Sequence, residues 1–162
     1  MEKVRAFLVR KNITFSAKRY FIDAMSAMAQ GLFCTLLVGT ILDTIGKQFG
    51  IGFLTNAFLT IKQGDVVLSY TIGGLCSLMV GPALAAPPLV LFSLITVGFA
   101  TNVLGGAGGP LAVFFVAILA AEVGKAVSKE TKIDILVTPV VTILAGIGFA
   151  ALVARPIGTA AT

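Results

Sequence analysis

Long apolar tracts separated by short polar breaks set the pattern of this chain. Between Asp65 and Glu122 no Asp, Glu, Lys or Arg interrupts the sequence. Lipid is the common solvent that tolerates so long an uncharged stretch. Five tracts read as helical crossings: residues 20–42, 66–85, 89–104, 111–127 and 133–154. Asp43 and Gly46 end the first, and the Pro87-Pro88 pair stops the second, because proline has no backbone N–H to continue a helix. The third has 16 residues against the roughly 20 that a crossing needs, so it either crosses thinly or dips in and returns. It is expected to break at Thr101-Asn102 and run into Gly105-Gly106-Ala107-Gly108-Gly109-Pro110, a run poorly suited to regular helix. A short apolar piece at 51–61 is too brief to cross and is expected at the interface. The predicted fold class is all-α: a polytopic transmembrane helical bundle in one domain, with about five spans and a short or broken third segment.

Charge placement orients the bundle. Lys3, Arg5, Arg10, Lys11, Lys18 and Arg19 stand among Val4, Phe7, Leu8, Ile13 and Phe15 in residues 1–19. This reads as an interfacial segment lying apolar side down on anionic lipid head groups, with Thr14 or Ser16 as the N-cap of the tract that follows. Lys125, Lys129 and Lys132 form the other basic cluster, leaving Lys47, Lys62 and Arg155 for the opposite side. Positive-inside logic therefore places the N-terminus in the cytosol. Only 12% of the residues are charged, against about 25% for a soluble domain. The net charge of +5 is concentrated at the start of the chain, which suits lipid and not nucleic acid, since no basic stripe is interleaved with exposed aromatics. The basic start runs into an apolar tract too long for a cleavable signal. Cys34 and Cys76 lie inside apolar tracts and read as small buried hydrophobes.

Small residues recur every fourth position in three tracts: Ala27, Gly31, Thr35 and Gly39; Ser69, Gly73, Ser77 and Gly81; Thr138, Thr142, Gly146, Ala150 and Ala154. Such ridges let helix backbones approach closely in lipid, where the apolar effect does not drive association. They serve either plain tight packing or a surface that slides during transport.

Polar residues inside the tracts are the candidates for function. Asp23, Ser26 and Gln30 recur at i, i+3 and i+7 on one helical face; they line a solute path, or Asp23 simply pairs with Arg19 at the head-group level. Thr101 and Asn102 stand at the expected break, where unwound backbone could hold a polar solute. Glu122 precedes Lys125 and Lys129 at i+3 and i+7, which makes either a surface salt-bridge ladder or a carboxylate facing a cavity. The chain has no His, no phosphate-binding glycine loop and no acidic cage. No catalysis, cofactor or metal is expected.

Several segments resemble a known family. Ser16-Ala17-Lys18-Arg19-Tyr20-Phe21-Ile22-Asp23-Ala24-Met25 with Gly31-Leu32-Phe33, Ala86-Pro87-Pro88-Leu89-Val90, and residues 122–135 with Thr138-Pro139 are similar to the EIIC-like family of the sugar phosphotransferase system, in the branch of predicted toxin-regulator membrane proteins. The resemblance implies a multi-pass protein of the bacterial inner membrane, a permease for a sugar or other small polar solute. Family members are typically about twice this length, so the chain reads as an N-terminal half. An odd number of spans makes two such units face opposite ways, an inverted repeat. Either a second half or a second copy, giving a homodimer, is expected. The partner domain with its phosphorylated Cys or His is not in this chain. Two functions stay open: a solute carrier using Gln30, Asn102 and Glu122, or a membrane sensor that regulates gene expression without transport.

Overall fold

A computed structural model describes residues 2–33, 37–52, 65–130 and 133–160. Among the described residues the chain is helical, without strands. Helix α1 (Glu2–Arg10) precedes a π-helical turn (Lys18–Asp23) that leads directly into α2 (Ala24–Leu32). Then come α3 (Val38–Phe49), α4 (Asp65–Ala83) and α5 (Pro88–Gly105). A 3₁₀ turn (Gly106–Gly108) joins α5 to α6 (Gly109–Val127), and α7 (Asp134–Ala160) closes the bundle. Pro88–Gly105, Gly109–Val127 and Asp134–Ala154 are long and apolar enough to cross a membrane, with a shorter apolar helix at Gly73–Ala83. The first expected crossing is divided between α2 and α3. Cys34, Thr35 and most of the 51–61 piece lie outside the described residues.

Local chemistry explains the boundaries. Pro87 is extended (φ −62, ψ 156) and caps α5, whose first residue is Pro88, the helix position that needs no N–H. The expected break at Thr101-Asn102 is displaced: both residues are helical, and the Thr101 hydroxyl donates to the Val97 carbonyl at 2.6 Å. Helical geometry is lost instead at Gly106 (φ 53, ψ −125), a conformation open essentially to glycine alone. Neither Thr14 nor Ser16 caps the turn at Lys18 with its side chain. The Thr14 hydroxyl accepts from Arg19 Nη1 at 2.7 Å.

Packing follows the small-residue ridges. On α4, Gly73 and Ser77 meet α5 so closely that a Cβ at Gly98 would stand 2.2 Å from the Gly73 carbonyl oxygen and from Ser77 Oγ. Ser77 Oγ donates to this crossing, at 2.5 Å from the Leu94 carbonyl. On α7, Thr138, Thr142, Gly146, Ala150 and Ala154 are all buried; a Cβ at Gly146 would run into Val97, and Thr142 Oγ1 fills the space beside Gly124. Gly31 on α2 sits against Leu75 and Met79 of α4. Val80, Leu84, Val90, Leu94, Val97 and Phe114 are fully buried in the core. Outward, Phe92, Leu144 and Leu152 are 69%, 66% and 73% exposed, an apolar exterior that suits lipid and not water.

Candidate functional site

Glu122 stands in the last turns of α6, and helical periodicity lines it up with Phe115, Ile118 and Leu119 at seven, four and three residues before it. Phe15 and the π-turn residues Tyr20 and Phe21 face this stripe. Together with Phe114 they enclose a groove of about 340 Å³ whose wall is almost entirely apolar. Glu122 is its one carboxylate. Glu122 Oε1 accepts from Lys125 Nζ at 2.9 Å and from the Tyr20 hydroxyl at 3.1 Å. Glu122 Oε2 is buried and has no hydrogen-bond partner.

Lys125 holds the carboxylate in place. Its side chain is 1% exposed, and beyond Glu122 its ammonium donates to the Leu84 carbonyl at 3.0 Å and the Asn12 carbonyl at 3.2 Å. A buried lysine of this kind is stable only where its charge and N–H groups are matched. The carboxylate thus has one oxygen fixed by a cation and a phenol, and the other buried with its acceptor capacity unused. A carboxylate with an unused lone pair, beside a wall of aromatic rings, suits a solute with hydroxyl donors and an apolar face. The volume falls within the range of small-molecule pockets.

The sequence candidates are distributed unevenly. Glu122 lies at the centre of the site. Its pair with Lys125 is buried, not a surface ladder, and Lys129 turns elsewhere, its backbone N–H donating to Asp134 Oδ1 at 2.7 Å. Asp23, the last residue of the π-helical turn, and Ser26 and Gln30 of α2 are all exposed. Arg19 does not close on Asp23 in a bridge; its Nη1 donates to Asn12 and Thr14. Thr101 and Asn102 are buried at the crossing of α4, α5 and α6, where a Cβ at Gly109 would lie 2.3 Å from Asn102 Oδ1 and one at Gly73 would lie 2.6 Å from Asn102 Cβ. The three sets are therefore not brought into one site by this single chain. Tyr20 and the phenylalanines were not read as site residues, and Lys125 was read as a basic surface residue or a ladder partner of Glu122. The spacing of Phe115, Ile118, Leu119 and Glu122 on one face was the signal that could have found the groove.

A family model described as phosphotransferase system, EIIC, matches residues 22–162. No curated protein and no solved structure matches the chain. The matched stretch runs from α2 through α7 and takes in Glu122, Lys125 and the α6 side of the groove, while Phe15, Tyr20 and Phe21 precede it. With the match covering nearly the whole bundle, the chain belongs to the EIIC family of the phosphotransferase system.

Proposed function

We propose that this chain is a permease unit for a sugar or another small polyhydroxy solute, which lies on the phenylalanine wall and donates a hydroxyl to Glu122 Oε2. The observation that carries the reading is the buried, partnerless oxygen of a carboxylate that lines an aromatic groove. A solute hydroxyl would complete its hydrogen bonding, and the rings would take the apolar C–H face of the sugar. Membership of the EIIC family supports a transporter-like role in a membrane. Counterflow of labelled sugars in proteoliposomes tests it. Uptake of at least one sugar is expected, with Glu122→Gln slowing it at least tenfold; a broad panel without uptake overturns the reading.

Orientation belongs to the same proposal. Residues 1–19, the turn before Pro88 and the segment after α6 meet at one end of the bundle, as an alternating path through the membrane requires. Positive-inside logic makes that end cytosolic, in a bacterial cell membrane. A complete path then needs either a second copy of the chain, as a homodimer, or further sequence of opposite orientation, which would also cover the polar face of Asp23, Ser26 and Gln30.

A sensor reading is favoured by one feature. Glu122 and Lys125 link the groove to the carbonyl of Asn12, so a solute that draws on Glu122 also acts on the N-terminal segment. Solute-dependent changes in transcript levels that Glu122→Gln abolishes, from a chain that shows no counterflow, would support it over transport.

A further inference from the structure

A second cavity, of about 370 Å³, opens at the end of the bundle where three helices stop. Arg10, Lys11, Lys125 and Lys129 line it against the single carboxylate of Glu130. Asn12, Ala85 and Lys129 also line it, and among the described residues these are the non-glycine residues with positive φ (54, 54 and 63). Each follows a helix end, of α1, α4 and α6. Left-handed backbone is unfavourable for residues with a Cβ, and where it clusters it marks a place whose shape the surrounding structure enforces.

Charges within the cavity divide into two groups. Converging helix ends direct carbonyl oxygens inward, which would repel an anion. Two ammonium groups cover them: Lys125 on the Leu84 and Asn12 carbonyls, and Lys11 on the Ser128 carbonyl and Glu130. Arg10 contacts Glu130 through Nη2 at 2.7 Å and is 63% exposed, so most of its five donors face solvent; Lys129 is exposed beside it. Ser128 lines the same cavity; the residue is 2% exposed, and its buried hydroxyl has no hydrogen-bond partner. A buried hydroxyl without a partner is uncommon in a native fold.

We infer that this cavity binds a phosphate group, with Arg10 and Lys129 supplying charge and the Ser128 hydroxyl donating to a phosphate oxygen. Arginine with a second cation and a hydroxyl donor matches the several acceptor oxygens of a phosphate. Arg10, Lys11 and Asn12 precede the family-matched residues, so the site is assembled by the N-terminal segment on the EIIC bundle. The same chemistry fits a phospholipid head group or a soluble phosphate monoester.

The test uses the purified full chain in a neutral detergent and in nanodiscs. Binding is read by thermal unfolding and native mass spectrometry, with phosphatidylglycerol against phosphatidylcholine and with glycerol phosphate as the soluble probe. At least one phosphate probe is expected to raise the unfolding temperature above its control. Arg10→Gln with Lys129→Asn, which removes two cationic contacts, should weaken that probe's apparent affinity more than about tenfold, and separately Ser128→Ala about tenfold, the loss of one hydrogen bond to a charged group. Ser128→Ala should leave the unfolding temperature of the ligand-free chain unchanged or raised. Response to phosphatidylglycerol alone assigns a lipid; response to glycerol phosphate as well assigns a soluble ester. No response from the unaltered chain to any probe, or equal binding by the double variant, overturns the inference.

Discussion

Lys125 has its ammonium enclosed by the Glu122 carboxylate and two main-chain carbonyls, with 1% of its side chain exposed. Removing one partner of such a pair leaves the other charge buried, which costs about 3–5 kcal/mol, whereas removing both together costs far less. Lys125→Met is therefore expected to destabilise the bundle by about that amount, and Glu122→Gln with Lys125→Met to recover most of the loss in thermal unfolding. Glu130 is a different case. The hydrogen bond from Lys11, with the charge of Arg10 behind it, holds its carboxyl below the ordinary value of 4.5. A depressed folded value means that the unfolded chain takes up the proton first. The contribution to docking α1 is full above the ordinary range and is lost as pH falls through the lower, folded value. Protection of the amides of residues 2–10, relative to their intrinsic exchange at each pH, should fall in that acid window, and Glu130→Gln should remove that fall.

Between α4 and α5 the contact is backbone on backbone. A Cβ at Gly98 would stand 2.2 Å from the Gly73 carbonyl oxygen, while one at Gly148 on α7 meets nothing within 4 Å. Gly98→Ala should destabilise the bundle by about 1–3 kcal/mol through overpacking, and Gly148→Ala should be neutral or stabilising by up to about 1 kcal/mol. Thermal unfolding of the two variants side by side checks both. These elements were largely legible beforehand, since Pro87-Pro88, the glycines at 105–109 and the charges after Val127 punctuate the apolar tracts where α5, α6 and α7 begin and end. The four-residue ridges of α4 and α7 were read for the same reason: small residues at helical spacing let backbones approach closely in lipid. The break placed at Thr101-Asn102 was misread because polar residues beside a glycine run resemble a loop, although a threonine hydroxyl can return to its own helix. Lys125 was read as surface charge. Nothing local distinguishes a solvated lysine from one whose partners, Asn12 and Leu84, lie 113 and 41 residues away.

Among the described residues, buried ionic chemistry collects at one end of the bundle. Helices α1, α4 and α6 finish there, and Lys125 joins the Glu122 groove to the basic cavity beyond it. The rest of the bundle is an apolar body with exposed phenylalanine and leucine on its outside. An EIIC-family bundle arranged this way has its partnerless carboxylate oxygen close to the end where the basic segments collect. The central claim is that the solute occupies the groove against Glu122. Leu119 lines that groove and is 41% exposed, so a cysteine placed there, in a chain with Cys34 and Cys76 replaced by serine or alanine, reports on occupancy. A sugar taken up in counterflow is expected to slow thiol modification of Leu119→Cys at concentrations that saturate uptake, and Glu122→Gln to abolish the protection. A sugar that is transported yet leaves the modification rate unchanged would contradict the central claim.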